Sequence, residues 1–362
     1  MSESLRVGLL FGGRSPEHEV SVRSARNVRR ALGEAGHTVV PLRISRAGRW
    51  TVEPDGDLAD EPGAGGAGRP LLFAADATGR LLAEGAGGAL DPVEVDVVFP
   101  MLHGVNGEDG RVQGLLQTLG LPYVGPDVLA SAVCMDKDAA KRLLAAAGVP
   151  VAASVTVRAG RPAPSFADLA GRLGPMLFVK PAGSGSSVGV AKVEAEDGLR
   201  PALDAAFRYD RKALVEEAVV GREIEVAVLG NEEPRASVPG EIVSTAAFYD
   251  YEAKYVDAAA ARMEVPADLA PDVAERVRAL AVEAYAALGC EGLARVDFFV
   301  ADDGRVLVNE VNTIPGFTER SMYPVMWERT GLAPPALADR LVRLALERHR
   351  RDAALVTTWG GG

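Results

Sequence analysis

The sequence predicts an α/β unit followed by two mixed α+β units, on three observations. A buried strand, Leu5–Phe11, runs into Gly12-Gly13 and then into an amphipathic helix. Short strand-like runs separated by Gly-rich or polar breaks fill 176–229, and two apolar runs flank Asp303-Gly304 further on. With 362 residues, 48% hydrophobic and 25% charged, the chain carries enough apolar material for two or three domains. The expected units are 1–125, 126–220 and 221–362.

In order, the first helix is expected from about Ser21, with apolar Val22, Ala25, Val28, Ala31 and Leu32 on one face. His37–Leu42 and Val95–Met101 read as further strands; Pro54–Pro70 and Glu84–Pro92, rich in Gly, Ala, Pro and Asp, read as surface loops or insertions. An Ala/Leu-rich helix is predicted from Asp127 to Ala147, stopped by Gly148 and Pro150. Met176–Lys180, Val188–Val193, Ala213–Glu217 and Glu223–Leu229 follow as strands, Ala270–Leu288 as a helix, Leu293–Val300 and Val306–Val311 as a strand pair, and about Pro335–His349 as the closing helix.

The formal net charge of -11 argues against a nucleic-acid protein with a basic footprint. Two cysteines far apart in sequence exclude a disulfide scaffold and suit a reducing compartment. The Val7–Phe11 run is too short for a signal-peptide core or a membrane span, so a cytoplasmic globular protein is expected. Only six of the 39 cationic residues are lysines (137, 141, 180, 192, 212 and 254). Where Arg is the default cation, a Lys is a candidate for the compact point charge that a nucleotide phosphate takes, although Lys is equally an ordinary exposed helix residue.

The segment from Arg295 to Asn312 is the most informative. A two-residue Asp303-Gly304 turn pairs 302 with 305, which sets Asp297 opposite Glu310 and Arg295 opposite Asn312 on one face. Carboxylates facing at about 5 Å repel each other, and a divalent cation would relieve that. Oxygen ligands alone suit a hard cation such as Mg2+ bridging to phosphate. The alternatives are a carboxylate pair satisfied by Arg295 or solvent, and a register shifted by one residue.

A second feature is Phe178–Gly189, a strand ending in Lys180 and then a loop of three glycines and three serines, which is either a phosphate cover or a flexible turn. Third, Phe248–Tyr255 holds three of the seven tyrosines and Lys254, as a loop that closes over a ligand or as an ordinary loop. Ser15–Ser21 and Leu102–Gly104 follow strands of the α/β unit, where ligand loops gather; Glu17 and His103 there are equally a helix N-terminal acid and a loop histidine. Glu216, Glu217 and Glu223 fit an adenosine or an ordinary acidic edge.

Taken together, a Lys before a Gly/Ser loop, a further Lys, and Asp, Glu and Asn on a hairpin suit Mg-ATP held between two β-rich units. Six motifs match in order and spacing: Ser-Pro-Glu-His-Glu-Val-Ser at 15–21, Leu-His-Gly at 102–104, Met-Asp-Lys at 135–137, Gly-Ser-Ser-Val-Gly at 185–189, Phe-Tyr-Asp-Tyr-Glu-Ala-Lys-Tyr at 248–255 and Asn-Thr-Ile-Pro-Gly-Phe-Thr at 312–318. On these the sequence resembles the D-alanine:D-alanine ligases of the ATP-grasp superfamily, from Val7 to about Ala345.

The resemblance implies an ATP-grasp fold with an N-terminal Rossmann-like domain, and ATP-dependent synthesis of D-alanyl-D-alanine for peptidoglycan precursors through a D-alanyl phosphate. It implies ATP contacts from Lys137, Lys180, Glu216, Glu217, Val219, Glu223 and Lys254, the last on a mobile loop at 245–262. Asp297, Glu310 and Asn312 would bind two Mg2+, with Mn2+ as a substitute. Glu17, linked to Ser186 and Tyr255, would anchor the first D-alanine; Arg295 would stabilise the oxyanion; Gly316 and Ser321 would hold the second substrate's carboxylate, with His103 near the reacting centre. A homodimer is implied on the same footing. The intact loop through Tyr255 points to the dipeptide and away from a D-lactate or D-serine product. Ile314, Glu217 and the long 54–92 region depart from the pattern, and only the adenine contact at 217 is thereby put in doubt. The rival from another class is a nucleotide-binding regulator without turnover.

Overall fold

The computed structural model describes residues 3–54, 58, 68–74, 76–185, 188–244 and 261–356. The first sheet contains β1 (Arg6–Gly12), β2 (Thr38–Ile44), β3 (Trp50–Val52), β4 (Arg69–Phe73), β5 (Leu81–Glu84), β6 (Leu90–Val93) and β7 (Val97–Met101), in the order β6-β5-β4-β3-β2-β1-β7. β1 lies parallel to both β2 and β7, so the loops after β1 and β7 leave side by side at the carboxyl end of the sheet. Helix α1 (His18–Glu34) starts earlier than the expected Ser21, because Ser21 is a buried interior position and not a cap. Its hydroxyl accepts from Gly12 N at 2.7 Å and donates to Met101 O, tying the helix to both strand ends.

The expectation of loops at 69–70 and 90–92 is corrected. β4, β5 and β6 form an antiparallel ribbon that extends the sheet, seated by buried Leu71, Leu81 and Ala83. Pro92 is tolerated because β6 is the terminal strand.

After α2 (Arg111–Thr118), the helix expected over 127–147 is divided into α3 (Val128–Met135) and α4 (Lys137–Ala146). Asp136 breaks it: its backbone is extended, its side chain caps α4 by accepting from Ala139 N at 3.2 Å, and Lys137 N donates to Ala182 O at 2.9 Å. The second sheet holds β8 (Ser154–Arg158), β9 (Leu177–Pro181), β10 (Ala191–Val193) and β11 (Lys212–Glu217), ordered β10-β9-β11-β8, backed by α5 (Phe166–Leu173) and α6 (Glu196–Ala206).

The third sheet comprises β12 (Gly221–Gly230), β13 (Arg235–Ala236), β14 (Gly240–Ser244), β15 (Ala261–Glu264), β16 (Gly292–Ala301) and β17 (Val306–Asn312). Its order is β15-β14-β12-β16-β17, with β13 beside β12. Helix α7 (Pro271–Ala287) buries Val277, Leu280, Ala281, Ala284 and Tyr285 against Val226, Val228, Val296 and Phe298, one face of this sheet. Cys134 and Cys290, distant in sequence, meet in that core with sulfurs 3.6 Å apart. The opposite face carries Ala227, Leu229 and Leu293 into a core shared with the first sheet, α8 (Met322–Arg329) and α9 (Pro334–Ala353). Further along that face the residues turn charged. No helix among the described residues is long and apolar enough to cross a membrane.

Candidate active site

Antiparallel pairing sets Glu225 of β12 opposite Asp297 of β16, and Asp297 opposite Glu310 of β17; the adjacent row is Ala227, Arg295 and Asn312. Three facing carboxylates are repulsive unless cations enter the row. Arg295 makes a bidentate pair with Asp297, at 2.6 Å for each bond, and its Nε lies 3.1 Å from Glu225. Asn312 Nδ2 donates to Asp297 at 2.9 Å, and Lys137 Nζ lies 3.1 Å from Glu310. Burial alone would lower the Arg295 pKa, but Asp297 and Glu225 reverse this and hold the guanidinium charged.

The expected facing pairs are present, although the turn differs from the expected one. Ala301 N donates to Arg305 O, so 301 and not 302 pairs with 305, and the loop has three residues with Gly304 at φ +88°. A bulge between Asp297 and Phe298 then absorbs Asn309, restoring the register before the site. The two offsets cancel. The bulge also turns Asn309 towards the second sheet, where its Oδ1 accepts from Lys180 Nζ at 3.3 Å.

Lys180 on β9 is a diagonal neighbour of Glu216 on β11, with Nζ 2.6 Å from the carboxylate. Lys141, one turn beyond Lys137 on α4, approaches the other oxygen of the same carboxylate at 3.0 Å as an ion pair. Burial acts to raise the Glu216 pKa, and the two ammonium groups overcome it and hold the carboxyl below its usual range. Burial, reinforced by Lys180, keeps Lys141 below the usual lysine range despite Glu216. Glu216 is thus a buried counter-ion between two cations. Glu217 receives Ala153 N at 2.8 Å and Arg305 at 3.0 Å, so its side chain is engaged by the hairpin turn. Val219 lies in the link from β11 to β12, and Glu223 is exposed on β12 opposite Phe299.

From the first sheet, Glu17 occupies the N-cap position of α1 without capping it. Its Oε2 would lie 2.5 Å from a Cβ on Gly104 and 3.9 Å from one on Gly185, so it reaches both the loop after β7 and the Gly/Ser loop. At Gly104, with φ +73°, any side chain is strained and its Cβ would push the Glu17 carboxylate aside. His103 is buried, with Nδ1 donating to Ile314 O at 3.0 Å and Nε2 accepting from the Ser24 hydroxyl at 3.3 Å; burial lowers its pKa and this pairing suits the neutral ring. Gly316 faces Ser321, whose Oγ accepts from Thr318 N at 2.9 Å. Ser186, Lys254 and Tyr255, with the loop at 245–260, lie outside the described residues.

Sequence reasoning missed four participants: Lys141 as a partner of Glu216, Glu225, Asn309 and Glu108. Glu108 accepts from Gly104 N at 2.7 Å and Ile314 N at 3.2 Å. Burial and the charge of Glu17 push its pKa up to about 8. A signal for it was available in the Gly107-Glu108-Asp109-Gly110 turn at the carboxyl end of a parallel strand.

The donor types, two opposed carboxylates and an amide, suit a hard divalent cation, while in this structure Arg295 engages Asp297 and Lys137 engages Glu310, the alternative the sequence left open. Among the described residues no three His, Cys, Asp or Glu side chains converge into a metal cluster, so phosphate and water oxygens would complete the coordination.

Family models described as "D-ala D-ala ligase N-terminus" and "D-ala D-ala ligase C-terminus" match residues 6–126 and 143–343. D-alanine–D-alanine ligase A of Escherichia coli K12 is 50% identical over 364 residues, covering 98% of this chain and all of that protein. Its Chromobacterium violaceum counterpart is 49% identical, over 97% of this chain and 98% of that one. Among solved structures, the D-alanine-D-alanine ligase from Coxiella burnetii superposes with a TM-score of 0.86 at 39% identity, covering 97% of each chain. The VanG D-Ala:D-Ser ligase from Enterococcus faecalis superposes with a TM-score of 0.82 at 35% identity, over 95% of this chain and all of that one. The chain belongs to the D-alanine–D-alanine ligase family.

Proposed function

We propose that this chain joins two molecules of D-alanine into D-alanyl-D-alanine, using ATP and passing through a D-alanyl phosphate, as a step in peptidoglycan precursor synthesis. The observation that carries this reading is the meeting of the hairpin row Arg295, Asp297, Glu310 and Asn312 with Lys137 at the start of α4 and Lys180 on β9 of the second sheet. Phosphate recognition needs fixed cations, and these two ammonium groups are held by Glu310, Glu216 and Asn309. Asp297, Glu310 and Asn312 are the residues to hold Mg2+, or Mn2+ in its place, which would neutralise charge on the transferred phosphoryl group.

In this reading Glu17 holds the ammonium of the first D-alanine and Arg295 stabilises the tetrahedral oxyanion when the second amine attacks. Gly316 N–H and Ser321 take the second carboxylate. Val219 and its neighbours border the adenine, and Glu223 the ribose. Lys254, Ser186 and Tyr255 complete the closed site and keep water from the acyl phosphate. A cytoplasmic homodimer is part of the same proposal. Because a D-Ala:D-Ser ligase shares the fold, the acceptor is chosen by residues and not by architecture. Phosphate release with D-alanine alone, with D-serine or D-lactate added, and mass analysis of the product test the assignment. A mixed product would overturn the acceptor assignment while leaving the ATP site standing.

A further inference from the structure

The segment 313–317 leaves β17 and is laced to the first unit by several polar contacts. Thr313 Oγ1 donates to Glu108 O at 3.4 Å, Ile314 N to Glu108 Oε1, and Ile314 O accepts from His103. Phe317 N donates to Ser24 Oγ at 3.1 Å, and Asn27 Nδ2 to Phe317 O at 3.0 Å. Glu108 is the carboxylate in this lacing, and it spends one oxygen on each side of the seam. Oε2 takes Gly104 N, beside Glu17, while Oε1 takes Ile314 N, two residues before Gly316. Both partners are backbone donors, so the ionised carboxylate, with two acceptor oxygens, satisfies both, whereas the protonated acid carries an O–H on one of them.

We infer that Glu108 is a positioning residue for the second substrate: its two oxygens hold the 313–317 segment against the 103–104 loop, so that Gly316 presents its N–H to the acceptor carboxylate. This rests on the acceptor role proposed above for Gly316. In Glu108→Gln one acceptor oxygen becomes an amide NH2 that faces a backbone N–H. The cross-unit bond breaks with hardly any change in volume.

The test, run above pH 8 where Glu108 is ionised, is Glu108→Gln in the full-length enzyme, with steady-state phosphate release resolved into the constants for ATP, the first D-alanine and the second, alongside amide exchange at 313–317. The expected result is a rise of about ten- to hundredfold in the constant for the second D-alanine, faster exchange at Ile314, and little change for ATP or the first D-alanine. Glu108→Asp, which keeps both acceptors, should recover part of the loss. It stands in for the Gln variant should that variant not fold, with a smaller rise in the same constant. Equal changes in both D-alanine constants, a fall in kcat alone, or unaltered exchange would overturn the inference. Wild-type enzyme with no D-alanine-dependent release would instead overturn the ligase reading, while the exchange data would still decide whether Glu108 clamps the segment.

Discussion

Glu216→Gln removes the carboxylate shared by Lys141 and Lys180 at almost constant volume. At 3.0 and 2.6 Å the two pairs carry roughly 12 kcal/mol of gross attraction at an effective dielectric of about 20, before desolvation and ammonium repulsion are subtracted. Deleting one partner of a buried ion pair costs about 3–5 kcal/mol net, because the remaining charge stays buried without compensation. For a cooperative unit of this size that lowers Tm by roughly 6–20 °C. The Glu216 carboxyl lies below its usual range in the fold, so its contribution is present above that range and is lost as pH falls through it. The Tm gap between wild type and variant should therefore be full near neutrality and close in acid. Calorimetry across pH, with ATP titration at neutral pH, measures both parts; ATP should bind more weakly because Lys180 loses its anchor. An unchanged Tm together with unchanged ATP affinity would refute the role of Glu216 as the buried counter-ion.

Three further outcomes follow from the same geometry. Gly104→Ala drives a Cβ against Glu17 at a positive φ, so stability should fall by about 1–3 kcal/mol and the constant for the first D-alanine should rise; wild-type behaviour in thermal melts and kinetics would contradict this crowding. Glu310→Gln should weaken Mn2+ binding in the presence of ADP about tenfold or more by calorimetry, and an unaltered isotherm would count against the metal site. The Glu108 pKa of about 8 lies above its ordinary value, so the stability it confers is full in acid and is lost as pH rises through about 8, with Glu17 and Arg295 the charged groups acting on it. Glu108→Gln should flatten that slope between about pH 4.5 and 8 in thermal melts, and a slope that persists would assign it elsewhere.

Most strands and the facing pairs of the hairpin were legible because they follow from local periodicity and turn chemistry. The hairpin shows the limit of such reasoning. A three-residue loop and a bulge at Asn309 each shift the register by one, and their cancellation is visible only in three dimensions. The break at Asp136 was hidden for a related reason: Ala/Leu periodicity runs through it, and the competing partners of this stretch, Ala182 and Lys212, come from another sheet. Lys141, Glu108 and Ser24 act through contacts with residues far along the chain, for which no local pattern exists. The 69–93 ribbon was obscured by its Gly/Ala-rich surroundings, although Leu71 and Leu81 alone are enough to seat it.

The most direct test of the ligase reading is phosphate release from Mg-ATP by the purified protein with D-alanine or L-alanine, followed by product mass. Release that depends strictly on D-alanine, with D-alanyl-D-alanine as the product, is the predicted result. ATP binding without D-alanine-dependent release would contradict it.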